Sequence, residues 1–110
     1  MTFDEYQKTS RATALYPKIL GKNFVYPTLG LVGEAGEVAE KVKKVFRDNN
    51  GEMDEERRTV IAKELGDVLW YLAQIATELD LSLDTIASEN IKKLLSRKKR
   101  GTLHGDGDNR

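Results

Sequence analysis

The chemistry that this sequence offers is concentrated in two pairs of carboxylates, Glu34-x-x-Glu37 and, after twenty-six intervening residues, Glu64-x-x-Asp67. Residues three apart on a helix stand roughly 5–6 Å from each other at Cβ, so each pair aims two carboxylates in one direction. If the two segments pack antiparallel with those faces together, four carboxylates converge, and so much like charge requires a counter-charge. The residue types narrow what that counter-charge is. Cysteine is absent and the single histidine, His104, cannot build a cluster by itself, which excludes disulfides, thiolate chemistry and zinc sites of the cysteine type. An oxygen-only ligand set suits a hard divalent cation, magnesium first and manganese as its substitute.

The elements that must position these groups are helices. Thr2 and Glu5 form a capping box that opens a first helix, predicted to run to about Tyr16, where Pro17 stops it. The connector from Pro17 to Pro27 is long enough to be a functional loop. Thr28 is the expected cap of a second helix ending near Asp48, closed by Asn49-Asn50-Gly51; Asp54 caps a third, to about Leu79. Ser82 caps a fourth, which ends near Lys99 with Gly101 placed to terminate it. No segment alternates with period two over strand length. The reading is therefore all-α: a four-helix bundle-like domain over residues 1–100 with antiparallel neighbours, and a glycine- and aspartate-rich tail, 101–110, expected to be flexible.

At about 100° per residue, Leu31, Ala35, Val38, Val42 and Val45 share one arc of the second helix, and Glu34 falls inside it with Glu37 on its border. The other charges of that helix, Glu40, Lys43, Lys44 and Arg47, take the opposite side. On the third helix, Ile61, Leu65, Val68, Leu72, Ile75 and Leu79 form the apolar arc, with Glu64 inside and Asp67 at its edge. A lone Glu-x-x-Glu is ordinarily a solvated face or part of an ion-pair ladder. Here two pairs intrude on core arcs, on either side of one helical hairpin. Lys41 and Tyr71 take equivalent directions one turn beyond each pair, where they could satisfy the carboxylates.

With its surroundings, Gly-Glu-Ala-Gly-Glu-Val and Glu-Leu-Gly-Asp-Val-Leu-Trp-Tyr, and with Lys93-Leu-Leu-Ser-Arg97 on the last helix, this order resembles the MazG-like all-alpha nucleotide pyrophosphohydrolases from about Leu29 to Arg97. The resemblance implies that Glu34, Glu37, Glu64 and Asp67 hold magnesium and form the catalytic centre. It implies hydrolysis of a nucleoside or deoxynucleoside triphosphate to monophosphate and pyrophosphate, by attack of a metal-activated water on the α-phosphorus. Lys93 and Arg97 would contact the triphosphate. Their i,i+4 spacing, with Asn90 one turn earlier, puts two cations and an amide on one face, although the run Arg97-Lys98-Lys99-Arg100 is also what a basic helix end looks like. Many family members carry a further glutamate directly before the first motif residue, where this chain has Gly33, so the general base is left open, with Glu34 as the candidate.

Lys41 is counted with the substrate-binding groups, and Gln7 and Tyr26 are candidates for reading the base, although aromatic residues beside helix ends are commonly packing. Eighteen basic residues balance eighteen acidic ones, which argues against a nucleic-acid or anionic-lipid surface. Without an apolar stretch of membrane-spanning length, the expectation is a soluble, cytoplasmic protein. Trp70 points away from the core arc and asks for cover, from the same chain or from a second subunit. Short members of the family imply a homo-oligomer, dimer or tetramer. The rival reading is a non-catalytic oligomeric bundle using its carboxylates as a structural metal staple or an ion-pair network.

Overall fold

The Thr2 hydroxyl accepts the Glu5 amide at 3.0 Å while the Glu5 carboxylate accepts the Thr2 amide at 2.7 Å, so the capping box opens helix α1, Phe3–Ser10. The computed structural model describes all residues, 1–110, and contains three further helices, α2 Val25–Asn49, α3 Glu55–Glu78 and α4 Leu83–Arg100, with no strand. Asp54 and Ser82 cap α3 and α4 as expected, accepting the amides of Arg57 at 2.9 Å and Thr85 at 3.1 Å. Gly101 closes α4 at φ +71°, a backbone conformation that favours glycine.

Two boundaries differ from expectation. The first helix ends at Ser10, followed by a single 3-10 turn, Arg11–Thr13, instead of running to Tyr16. There the hydroxyls of Ser10 and Thr13 donate to the carbonyls of Gln7 and Ser10, offering the backbone an alternative to helix. The second helix begins at Val25, not after Thr28. Pro27 sits in its first turn, where a missing N–H is harmless, and the Thr28 hydroxyl donates to the Phe24 carbonyl at 2.7 Å instead of capping.

Helices α2 and α3 form a long hairpin, and α1 lies against both α3 and α4. The small core gathers Ala73, Ala76 and Leu83, with Tyr6 packed on it. Gln74, fully buried, donates to Ser10 Oγ at 2.9 Å and accepts from Arg11 at 3.3 Å. The cover that Trp70 needs comes from the same chain: its indole N–H donates to Thr13 Oγ1 at 2.9 Å, and its ring meets Tyr16 and Tyr71 edge to face.

Helix α4 does not lie along α2 or α3, so the chain by itself leaves the bundle open. The radius of gyration is 17.0 Å, against about 13 Å for a closed domain of this length. Of the expected apolar arcs only Val45 is fully buried, and Leu65, Leu72 and Leu79 stay exposed, as do Val32, Phe46, Ile91 and Leu95. No helix is long and apolar enough to cross a membrane. The tail, expected to be flexible, folds back along α4 in this structure. Its last residue, Arg110, donates to the carbonyls of Thr102, Leu103 and Gly107.

Candidate metal centre

The pairing of α2 with α3 brings together Glu34, Glu64 and Asp67. One carboxylate oxygen of each lies within 4.8 Å of the others. Glu34 and Glu64 are half-buried and Asp67 is exposed, so the cluster opens from the hairpin toward solvent. Positive charge is scarce there: Lys41 Nζ stands 3.9 Å from Glu64 Oε1, the outer limit of an ion pair. The Glu34 carboxyl is accordingly pushed above its ordinary range, by burial and then by the charges of Asp67, Glu64 and Glu37. Hard oxygen donors from two helices, with one distant ammonium among them, fit a divalent cation of the magnesium type.

Glu37 is placed differently from its three companions. Expected as a fourth ligand, it is exposed and stands outside the group, consistent with its position on the border of the apolar arc. Its charge is still close enough to raise Glu34.

An aromatic wall adjoins the carboxylates. The Tyr71 ring lies over Gly30, one turn after Asp67 and one turn before Glu34 respectively. Burial raises the Tyr71 hydroxyl, followed by the influence of Tyr26 and the charges of Glu34 and Asp67. Tyr26 stacks on Tyr16 with centroids 5.6 Å apart and planes within 7°. Sequence reasoning did not identify Gly30 or Tyr16 here. The signal for Gly30 was its position one turn before Glu34, which antiparallel pairing sets against Tyr71.

Gln7, expected to read the base, is engaged within its own chain. Its amide nitrogen donates to Thr77 Oγ1 at 3.0 Å and to the Leu81 carbonyl at 2.8 Å, and its oxygen accepts the Leu83 amide at 2.9 Å. Both ends of the side chain clamp the turn between α3 and α4. Asn90, Lys93 and Arg97 lie on α4, away from the α2–α3 hairpin of their own chain. Asn90 is exposed, Lys93 is ion-paired with Asp108, and Arg97 is buried against the tail.

The family described as MazG nucleotide pyrophosphohydrolase domain matches residues 27–102, which hold all three clustered carboxylates and both α4 cations. A relative named Gene 37 protein, from Mycobacterium phage L5, is 49% identical over 116 aligned positions covering the whole of both chains. No solved structure matches.

Proposed function

The chain belongs to the MazG nucleotide pyrophosphohydrolase family, and from that premise we propose that it hydrolyses a nucleoside or deoxynucleoside triphosphate to monophosphate and pyrophosphate with magnesium. The observation that carries this reading is the meeting of Glu34, Glu64 and Asp67 across two helices within 4.8 Å. A structural staple of the same residues would need the metal for folding but would turn nothing over.

Glu34, Glu64 and Asp67 would hold the cation, with Glu37 drawn in from one turn away or left to orient water at the edge. Magnesium bound there would offset charge on the phosphate oxygens and acidify water, with manganese as its substitute. The chain's own groups do the rest. Glu34, half-buried on the shared face of the hairpin, is our candidate to receive the proton of the attacking water. Tyr26 and Tyr71 offer ring surfaces beside the carboxylates for a nucleobase. Lys93, Arg97 and Asn90 would neutralise and orient the triphosphate, and Lys41 the phosphate nearest Glu64.

This division of labour calls for a second copy. Lys93 and Arg97 stand on a helix that leaves its own hairpin, and the apolar faces of α2, α3 and α4 lie open. We therefore include in the proposal a cytoplasmic homo-oligomer, dimer or tetramer, in which the α4 cations of one copy reach the carboxylates of another. Light scattering across a dilution series tests the assembly.

The activity is tested with a panel of ribo- and deoxyribonucleoside triphosphates and magnesium, following both products. Pyrophosphate with monophosphate is the expected outcome; orthophosphate with diphosphate, or no turnover of any substrate, would end the proposal.

A further inference from the structure

Lys93 and Arg97, which the proposed function assigns to the triphosphate, already hold an anion that belongs to the chain itself. The Asp108 Oδ1 lies 3.0 Å from Lys93 Nζ and 3.3 Å from Arg97 Nη2, and the Asp108 carbonyl accepts a second, shorter bond from the same guanidinium. A carboxylate bridging two cations one helical turn apart makes the contacts that non-bridging phosphate oxygens would make. The tail also hides the larger cation: Arg97 is only 4% exposed. A triphosphate cannot reach that guanidinium while residues 101–110 lie where they do.

The tail is held as a clasp. Arg110 donates to the carbonyls of Thr102, Leu103 and Gly107, and Arg100 donates to the Arg110 carbonyl at 2.9 Å. Within the chain, Arg97 Nε and Thr102 Oγ1 are buried and make no hydrogen bond to another protein group. The Asp108 side chain itself is 82% exposed, so its ion pairs are screened and exchangeable.

We propose that residues 101–110 form an autoinhibitory strap, in which Asp108 occupies the anion site of Lys93 and Arg97 and must be displaced by the phosphates of the substrate. The proposal rests on the reading of those two cations as phosphate-binding groups. Self-competition of this sort raises the apparent dissociation constant by the reciprocal of the open fraction and leaves the bound complex unchanged.

The test compares the full chain with Asp108→Asn and with a chain ending at Thr102, using inorganic tripolyphosphate with magnesium as the calorimetric probe and triphosphate hydrolysis as the second readout. Asp108→Asn keeps the Arg110 anchors, so it reports even if the shortened chain fails to fold. The expected result is tighter tripolyphosphate binding and a lower KM, by about three- to tenfold, at unchanged kcat. Unchanged or weaker binding in Asp108→Asn overturns the strap. Lys93→Gln and Arg97→Gln separate the two ideas: if they weaken binding while Asp108→Asn does nothing, the cations bind phosphate and the strap is wrong. If they leave binding intact, the reading of the cations fails and the strap falls with it.

Discussion

The ring of Tyr71 crosses α2 at Gly30 so closely that a Cβ there would stand 2.2 Å from the ring edge. Gly30 and Tyr71 each lie one turn from a carboxylate of the cluster, so this contact sets the helix separation at one end of the site. The ring cannot easily retreat, because Trp70 meets it edge to face at 5.0 Å.

Gly30→Ala should therefore force the helices apart or the ring aside. The expected loss is about 1–3 kcal/mol of stability, together with weaker magnesium binding. Chemical denaturation and metal titration monitored by calorimetry check both. Retention of native metal affinity would show that the contact does not govern the cluster.

Asp67→Asn removes one of three like charges. Without metal, the variant should melt at an equal or higher temperature than the parent, by up to about 4 °C. Magnesium should then fail to stabilise it, and hydrolysis should drop on the order of a hundredfold or more. Differential scanning calorimetry with and without magnesium reads the first two effects. An undiminished magnesium shift would remove Asp67 from the ligand set.

The raised Glu34 carboxyl predicts a direction for metal-free stability. The folded state holds this proton more tightly than the unfolded one, so the contribution is fully present below the ordinary glutamate range and is lost as pH rises through the elevated value. Thermal melts of metal-free parent and Glu34→Gln from about pH 4 to 8 should diverge as pH rises, with the glutamine form more stable at the upper end. Parallel curves would contradict the electrostatic description of the cluster.

The N-terminal segment is fastened through Glu78. Its carboxylate accepts the Tyr16 hydroxyl at 2.6 Å and pairs with Arg11 at 2.5 Å. Burial pushes Glu78 up, but the Tyr16 and Arg11 bonds outweigh it and hold the carboxyl below its usual range. Glu78→Gln should cost about 1–2 kcal/mol, less than a fully buried pair because Arg11 is 40% exposed. Its stability difference from the parent should shrink as pH falls through the depressed value, where the parent carboxylate is also protonated. Trp70, the single tryptophan, bonds to Thr13 in the same segment. Its emission should shift to the red in the variant if the segment loosens, and an unchanged spectrum would show the latch to lie elsewhere.

Helix capping and periodicity are local, so the sequence alone carried the class of the fold and most of its boundaries: Thr2, Asp54, Ser82 and Gly101 perform where they stand. The intrusion of Glu34 and Glu64 on apolar arcs was equally legible, because a helix face is a matter of spacing. Tertiary structure decided which groups meet. It set Glu37 apart from the other three carboxylates, turned Gln7 into a clamp on the α3–α4 turn, laid Tyr71 over Gly30 and closed Asp108 onto Lys93 and Arg97. None of these follows from the periodicity of a single helix, since each depends on the distance and crossing of segments far apart in the chain, which long-range packing alone establishes.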